Sequence, residues 1–331
     1  MLKNEKIKLS DIAKELGIST ISVSRALSGQ DGVSHELRDK VLLKANEMGY
    51  ARAKSPEQTR VLVLHQRPFI QDNSNFSHIM QGIEKALKDA GCEYDMEFAD
   101  KNTQGDLSLP NKLQKGITYD GMILIGNFEN TYMELVTRKI NNYVCYAGYS
   151  PSRDSDGIWY NFNNSAYRQC EYLINKGHKR IGYLGNSRGY VSKEKVLGIS
   201  TALENHDIPV SEEFFVYAEE YEKTVYDLVQ SGQGPTAFIC QWDYTAIKLI
   251  KFLHDKGIRV PEDISVMGHG NTEMSALCIP ALTTMELSID YACESSVALL
   301  FKRLGRTDKP RENILINCTL VERDSVRSMV E

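Results

Sequence analysis

The sequence predicts two parts, a small all-α domain at the amino end and a larger α/β body with two lobes. Apolar residues recur at helical spacing between Leu9 and Met48, and a glycine interrupts them after Leu16. From Val61 onward, short β-rich runs alternate with amphipathic segments, which favours parallel sheets covered by helices. A chain of 331 residues is long enough for two or three domains.

The composition is that of a globular protein in a reducing compartment. Hydrophobic residues make up 42% of the chain and charged residues 25%, with a net charge of −5. Seven scattered cysteines form no C-x-x-C pair, so we expect reduced thiols. The charged start MLKNEKIKLS has no apolar signal segment, and no apolar run reaches the roughly 18 residues of a membrane helix. We therefore expect a cytoplasmic protein with no membrane partner.

Charge is distributed unevenly along the chain. The first 60 residues hold 11 Lys+Arg against 8 Asp+Glu, whereas the remainder holds 28 against 36. A mildly basic end on an acidic body fits a small phosphate-contacting module attached to a part that does not touch nucleic acid.

Residues 8–28 predict two helices joined by a tight turn. Ser10 is a suitable cap for the first helix and Gly17 for its end, and Ser19 is placed to cap the second. Ser34 is predicted to cap a third helix over about residues 36–48. The second helix turns three residues inward (Val23, Ala26 and Leu27) and four outward (Thr20, Ile21, Ser24 and Arg25). This pattern predicts a helix-turn-helix, whose second helix can enter the major groove of DNA.

The outward face of the second helix suits contact with base edges. Arg25 carries the guanidinium fork that grips a guanine edge or a phosphate, and Ile21 offers an apolar contact to a thymine methyl. The alternative is a three-helix bundle with no role on DNA, since such bundles are common. The helical pattern alone leaves that alternative open.

Three stretches form a recognisable pattern: the run D-I-A-K-E-L-G-I-S-T-I-S-V-S-R-A-L-S-G at 11–29, V-S at 33–34 and G-Y at 49–50. Together they resemble the headpiece of the LacI–GalR family of bacterial transcription regulators. The resemblance implies double-stranded operator DNA as a partner. It implies base contacts from Thr20, Ile21 and Arg25. It also implies phosphate contacts from the amide of Leu9 and from Ser19, Ser22, Ser24, Ser28, Ser34 and Tyr50.

The segment after Tyr50 departs from the family pattern. Family members continue with R-P-N and with a leucine that wedges into the minor groove. Residues 51–60 instead read A-R-A-K-S-P-E-Q-T-R, which is shorter and has no such leucine. Pro56 also removes a backbone donor that a helix would need. We therefore expect an atypical flexible linker, in which Arg52 and Lys54 contact phosphate without a leucine-driven kink.

Short runs in the body predict strands at 61–64, 122–125, 143–147, 180–184, 237–239 and 264–267, and helices at 76–90, 166–176 and 289–304. Four further runs resemble landmarks of the same family's core: G-H-K-R-I-G-Y-L-G at 177–185, T-A-F-I-C-x-x-D-Y-x-A at 236–246, G-I-R-V-P-E-D-I-S-V-M-G at 257–268 and P-A-L-T-T at 280–284. That core is similar to periplasmic sugar-binding proteins and implies two Rossmann-like lobes with a cleft between them.

The expected domains are a headpiece over residues 1–50, a linker over 51–60 and an effector-binding and dimerisation core over 61–331. Within the core, the N-lobe takes about 61–160 and 289–317, and the C-lobe takes about 161–288 and 318–331. The chain is expected to cross between the lobes near 158–163, 287–290 and 316–320.

The polar anchors of the family's effector cleft are altered in this chain. The resemblance places Asn161 where the family has an acidic residue, Lys195 for an arginine that grips ring hydroxyls, Trp242-Asp243 for an N-D pair, and Asn271 at the end of a motif whose acidic residue is missing. These residues are the expected effector contacts, together with three from other strand ends: His65, Arg67 and Tyr221.

Two interpretations of the altered cleft stay open. One is a different ligand, which stacks on Trp242. The other is a pocket that no longer binds a sugar, in which Trp242 fills the core. For the three residues from other strand ends, the alternative is an ordinary surface or rim position.

The expected function is a sequence-specific transcription regulator. We expect it to repress carbohydrate-utilisation genes, with a DNA affinity modulated by a small sugar-like effector. A homodimer is expected because one headpiece contacts only a half-site, a tetramer stays open, and the protein is expected at the nucleoid.

Two other functional classes are less favoured. No G-x-G-x-x-G, P-loop or H-E-x-x-H pattern occurs, and no histidine pair has metal-ligand spacing, so we expect no enzyme, metal or cofactor. The second alternative is a sugar-binding protein, exported or cytosolic, without a role on DNA.

Overall fold

The computed structural model describes residues 7–28, 32–48, 59–66, 74–146, 154–185, 189–217 and 221–330. The headpiece consists of three helices: α1 (Leu9–Leu16), α2 (Thr20–Ser28) and α3 (His35–Glu47). Every helix contributes to one small apolar core, which contains the buried side chains Ile12, Ala13, Val23, Ala26, Leu27, Val41 and Ala45. Residues 51–58 of the predicted linker lie outside the described residues.

The predicted caps of α2 and α3 are correct. The hydroxyl of Ser19 accepts a hydrogen bond from the amide of Ser22 at 3.0 Å, and that of Ser34 accepts one from the amide of Leu37 at 3.2 Å. Gly17 ends α1 with a φ of +61°, which glycine adopts without strain.

The prediction for Ser10 is wrong. Helix α1 begins one residue earlier, at Leu9, with Lys8 as its N-cap. The carboxylate of Asp11 accepts a hydrogen bond from the amide of Lys8 at 2.7 Å. A carboxylate in the first turn also interacts favourably with the helix dipole, which a serine hydroxyl cannot match.

The core alternates strands and helices. Its strands are β1 (Arg60–Gln66), β2 (Glu93–Ala99), β3 (Gly121–Ile125), β4 (Tyr143–Tyr146), β5 (Asp156–Tyr160), β6 (Ile181–Gly185), β7 (Phe215–Tyr217), β8 (Ala237–Cys240), β9 (Ser265–Met267), β10 (Thr284–Glu286), β11 (Asn313–Ile316) and β12 (Thr319–Val321). Its helices are α4 (Ser74–Asp89), α5 (Lys101–Gly105), α6 (Asn111–Gln114), α7 (Asn130–Lys139), α8 (Phe162–Asn175), α9 (Tyr190–Asn205), α10 (Glu222–Gln230), α11 (Asp243–Asp255), α12 (Glu273–Leu277) and α13 (Ile289–Gly305).

These strands form two parallel sheets, as predicted. The larger sheet has the order β11-β5-β4-β3-β1-β2 and the smaller sheet has the order β7-β6-β8-β9. Strands β10 and β12 form a separate antiparallel pair. Helix α8 begins at Phe162, before the predicted start at 166, because Asn161 caps it.

Each sheet is buried on both faces. Along β1, Val61 and Val63 pack towards α4 and α13, whereas Leu62 and Leu64 pack towards the other face, where α7 lies. Adjacent residues of a strand point to opposite faces, so a run of apolar residues indicates a sheet covered on both sides. The smaller sheet likewise separates a core cluster with α10 and α11 from one with α8 and α9.

The chain passes between the two sheets three times. It leaves the larger sheet after Tyr160, returns to it with α13 after Glu286, and leaves it again after Ile316. The backbone amide of Gly270 donates to the carbonyl of Met285 at 2.8 Å, which ties the loop after β9 to the second passage. These three passages are called the crossovers below.

All seven cysteines are free thiols, six of them buried and Cys278 half-buried. This agrees with the prediction of reduced thiols. No helix in the described part of the chain is long and apolar enough to span a membrane.

A buried ion pair joins β5 to the segment before β11. Asp156 is fully buried and accepts hydrogen bonds from Arg303 Nε at 2.6 Å, from Arg303 Nη2 at 3.1 Å and from Lys309 Nζ at 2.7 Å. Arg303 also donates to the carbonyls of Thr307, Lys309 and Pro310. Burial alone would raise the pKa of Asp156, but its bonds to these two cations hold that pKa below the usual range.

We expect Arg303→Met to lower the free energy of unfolding by about 3–5 kcal/mol, because it leaves a buried carboxylate with only part of its compensation. Arg259→Met is the matched control, since the Arg259–Asp263 pair is exposed and its loss should have little effect on stability. Urea unfolding followed by circular dichroism measures both. Equal effects of the two substitutions would contradict the central role of Arg303.

Candidate functional site

Helix α2 presents four side chains to solvent: Thr20, Ile21, Ser24 and Arg25. Ile21 is 64% exposed although it is a large apolar residue. The Nη1 atom of Arg25 lies 3.4 Å from the point where a methyl group on Gly32 would stand, so the guanidinium lies close to the segment before α3. An exposed apolar side chain beside a guanidinium and two hydroxyls can contact a thymine methyl, a guanine edge and phosphate together.

Two of the predicted phosphate contacts, Ser19 and Ser22, lie together at the start of α2. The hydroxyl oxygens of Ser19 and Ser22 are 2.9 Å apart, and a capping hydroxyl that accepts a hydrogen bond can still donate its own proton. Leu9 is the first residue of α1, where backbone amides have no partner within the helix. The side chain of Ser28 and the whole of Tyr50, Arg52 and Lys54 lie outside what the structure describes.

Asn161 lies at the first crossover, and both ends of its amide hold the protein's own structure. Its Oδ1 atom accepts from the amide of Asn164 at 3.2 Å and caps α8. Its Nδ2 atom donates to Oδ1 of Asn317 at 2.9 Å, and this hydrogen bond links the first crossover to the third. These bonds leave only part of its hydrogen-bonding capacity for a ligand.

Asp243 begins α11 and is fully buried. Its carboxylate accepts from the hydroxyl of Thr284 at 2.5 Å and from the amide of Thr272 at 2.7 Å. Burial raises the pKa of Asp243, and these two hydrogen bonds oppose that rise. The carboxylate therefore fixes β10 and the loop before α12, and it does not face an open cleft.

Asn271 lies in the same loop and is likewise engaged. Its amide donates to Glu286 and accepts from Arg323 Nη2 at 2.6 Å. Arg323 Nη1 in turn donates to the carbonyl of Leu282 at 2.7 Å. The loop, β10 and the carboxyl-terminal segment thus form one polar network.

Lys195 is buried completely, although the family position is expected to reach into the cleft. Its ammonium donates to the carbonyl of Gln241 at 2.7 Å and, weakly, to that of Cys240 at 3.4 Å. It also lies 5.4 Å from the ring centroid of Trp242, within range of a cation–π interaction. Burial lowers the pKa of Lys195 to about 7.

Trp242 belongs to an aromatic cluster (Phe162, Trp242 and His269). The ring centroids of Trp242 lie 5.7 Å from Phe162 and 5.6 Å from His269, and Phe162 and His269 are 5.5 Å apart. His269 is fully buried, and burial holds its pKa well below the usual value. Trp242 itself stays partly exposed. These contacts fit both open interpretations, because the indole packs on neighbours and still reaches the surface.

The two candidates from other strand ends that the structure describes are buried. His65 packs edge-on against Phe76, with centroids 4.3 Å apart, and burial lowers its pKa to about 4. Tyr221 packs against Phe252 in the core of the smaller sheet. Their burial supports packing roles rather than ligand contacts. Arg67 lies outside the described residues.

A polar depression at the carboxyl edge of the larger sheet was not predicted. It has a volume of about 360 Å³ and is lined by the N-lobe shelf: Gln66, Asn127, Phe128, Glu129, Asn130 and Thr131. Gly126 permits the turn into it, because a side chain there would approach Gln66 and its φ is +102°. The signal in the sequence was the buried run 122–125, which ends in Gly126-Asn127, since ligands of parallel sheets bind just beyond strand ends.

The segment G-N-S-R-G at 185–189 matches the spacing G-x-S-x-G and stands between β6 and α9. In hydrolases this turn presents a serine that a histidine–acid pair activates. Among the described residues, Asp243 bonds to two threonines, and His269 Nε2 lies 3.9 Å from Cys318 Sγ. The acid–base pair that such a reaction needs is therefore not formed between these two residues. The described residues also contain no group of side chains arranged to hold a metal ion.

The comparisons with known proteins agree with this architecture. Residues 8–53 match the family model described as bacterial regulatory proteins of the lacI family, and residues 170–326 match that of a periplasmic binding protein-like domain. The transcriptional repressor CytR of Escherichia coli K12 is 28% identical over 97% of this chain and 96% of its own length. The repressor PurR of Mannheimia succiniciproducens is 27% identical over 97% of this chain and 99% of its own.

Solved structures share the fold of the whole chain. The complex of the regulator CelR with cellobiose matches with a TM-score of 0.69 at 19% identity, covering 97% of this chain and all of CelR. The lac repressor dimer bound to operator and the anti-inducer ONPF matches with a TM-score of 0.67 at 21% identity, over 98% of this chain and all of that one.

A helix-turn-helix headpiece joined to a two-lobed α/β core defines a DNA-binding transcription regulator with a periplasmic-binding-protein-like body. The chain belongs to the LacI–GalR family of bacterial regulators, as its motifs indicated.

We expect Lys195→Met to flatten the pH dependence of stability. The folded pKa of about 7 lies below the ordinary lysine pKa of 10.5, so the unfolded state binds more protons between these values. Wild-type stability should therefore rise by up to about 1.4 kcal/mol per pH unit above pH 7, and the variant should lose this slope. Urea unfolding at pH 7, 8 and 9 measures it.

The control for this experiment is Lys251→Met, because the ammonium of Lys251 is 75% exposed. This substitution should keep the wild-type slope. Parallel curves for Lys195→Met and the wild type would show that Lys195 is not buried as a perturbed cation.

Proposed function

We propose that this regulator binds an operator through α2, with Thr20, Ile21 and Arg25 on base edges and the surrounding serines on phosphate. The observation that carries this proposal is the exposed face of α2, where a 64% exposed isoleucine stands beside an arginine and hydroxyls. Nothing in the headpiece core requires these side chains, since that core uses the opposite face of the helix. The headpiece would span 1–50, the linker 51–60 and the core 61–331.

We propose a homodimer as the DNA-binding form. One headpiece has one recognition helix, and two-fold operators match two-fold proteins. The C-lobe also exposes large apolar side chains near α12, with Leu277 65% and Ile279 92% exposed, which suits a face that a second copy covers. The lac repressor in the matched structure is a dimer on its operator.

We propose that a small sugar or sugar derivative, bound between the lobes, changes the affinity for DNA. CelR, with the same fold, was solved with cellobiose. In this chain the C-lobe candidates are largely engaged, since Asn161, Lys195, Asp243 and Asn271 bond to the protein itself. The polar side chains of the N-lobe shelf and the partly exposed indole of Trp242 are the groups that would bind ring hydroxyls and the sugar face.

The relatives CytR and PurR are named repressors, and we propose that this protein also represses transcription. The regulated genes would be those for use of the effector sugar. Such a protein acts in the cytoplasm, at the nucleoid.

Arg25→Ala should weaken specific DNA binding by about 1–3 kcal/mol, because it removes a bidentate contact to a base. The measurement uses a duplex selected from a random library by the wild-type protein, with affinity read by fluorescence anisotropy. The stoichiometry should be two chains per duplex. Arg138→Ala is the control, since Arg138 is an exposed arginine on α7 of the core. Unchanged affinity in Arg25→Ala would refute the proposed role of α2.

A thermal-shift screen of cellobiose, ribose, hexoses and their phosphates should give at least one stabilising compound. A ligand at a hundred times its Kd adds about 2.7 kcal/mol. Asn127→Ala and Trp242→Ala should abolish the shift, because both residues belong to the proposed site. Gln233→Ala, at the far edge of the C-lobe, should retain it. A shift indifferent to both Asn127 and Trp242 would place the ligand elsewhere.

A further inference from the structure

The aromatic cluster lies where the three crossovers meet. Phe162 stands two residues beyond the end of β5, on the first crossover. Cys318, on the third crossover, places its Sγ 3.9 Å from Nε2 of His269. Gly270, the neighbour of His269, bonds to Met285 just before the second crossover. Any rotation of one lobe against the other therefore has to move this cluster or move around it.

Phe162 belongs to the packing of both lobes. Its ring packs against the core cluster of the larger sheet, with its centroid 6.2 Å from that of Tyr160. On its other side it contacts Trp242 and His269, which follow strands of the smaller sheet. Tyr160 in turn shares a hydroxyl–hydroxyl hydrogen bond of 2.7 Å with Tyr146. A continuous row of rings thus runs from the larger sheet, across the first crossover, to the smaller sheet.

Trp242 connects this row to the protein surface. It is only partly buried, and its indole is held from inside by the ammonium of Lys195 and by the other two rings of the cluster. Close-packed interiors do not deform continuously, so a displaced indole requires its neighbours to adopt another arrangement. Phe162 is the neighbour whose ring also packs against Tyr160 in the core cluster of the larger sheet.

We propose that Phe162 is a positioning residue, which couples the placement of Trp242 to the relative orientation of the lobes and, through the N-lobe, to the headpiece. This inference rests on the proposed function, because it assigns a route between DNA and the cleft. Coupling between two sites is reciprocal, so DNA bound at the headpiece must also change the surroundings of Trp242. The coupling can therefore be measured without knowing the effector.

The experiment uses the full chain carrying Trp159→Phe, which leaves Trp242 as the single tryptophan. Acrylamide, an uncharged quencher, reports the accessibility of the indole in the presence and absence of the selected duplex. We expect the quenching constant to change by about 1.5-fold or more when DNA binds. A duplex of unrelated sequence at equal concentration should give no change.

Phe162→Leu in this background should bind the same duplex but lose the response of Trp242, because leucine cannot bridge the two packing surfaces. Phe162→Tyr should restore the response, since it keeps the ring. Phe252→Leu is the matched control on α11, away from the crossovers, and should retain the response. A purely structural role for Phe162 would lower the melting temperature without abolishing the response.

The outcomes separate the two proposals. If the wild-type chain selects no duplex at all, the proposed function fails, and the coupling fails with it. If the duplex binds while Trp242 shows no change, the coupling alone is wrong, even if Phe162→Leu does not fold. A response that persists in a folded Phe162→Leu protein would likewise overturn the role of Phe162.

Discussion

A buried carboxylate, that of Asp243, constrains much of what the core can do. Its two oxygens accept hydrogen bonds from Thr284 and Thr272 where no water reaches them. Removing a charge from water is costly unless such bonds compensate for it. A ligand that recruited this carboxylate would have to break at least one of them. The bonds therefore fix the second crossover and remove from ligand recognition a residue that the family motif offers for it.

The same logic extends across the C-lobe face of the cleft. Asn161 caps a helix and clasps another crossover, and Lys195 donates to backbone carbonyls beneath an indole. Polar residues at family positions thus serve as structural groups, while a second set of polar side chains lies on the N-lobe shelf. In a two-lobed protein, one lobe can bind the ligand while the other lobe closes over it.

The parts of this structure that could be predicted from sequence are those that depend on local spacing. The headpiece helices, the caps Ser19 and Ser34, and the strand–helix alternation follow from patterns within about 20 residues. Ser10 was misassigned because Asp11, at the third position of the helix, accepts a hydrogen bond from the amide of Lys8, and the helix therefore begins one residue earlier. The cleft could be located by motif, but the bonding of Lys195 depends on β8, some 45 residues away. The N-lobe shelf needs the ends of β1 and β3 to be adjacent, which only the sheet order reveals.

The pairing of Asp156 with Arg303 and Lys309 has a consequence for how the protein is made. The strands of the smaller sheet lie within one stretch, 181–267, so that lobe's sheet can assemble soon after it leaves the ribosome. The larger sheet cannot be completed at that stage. One of its faces is covered jointly by α4 and α13, and its edge strand is β11; α13 and β11 are synthesised after the other elements of this sheet. A nascent chain therefore exposes an apolar sheet face throughout most of its synthesis. We expect this interval, rather than the finished fold, to be when the protein is most vulnerable to aggregation and most dependent on chaperones.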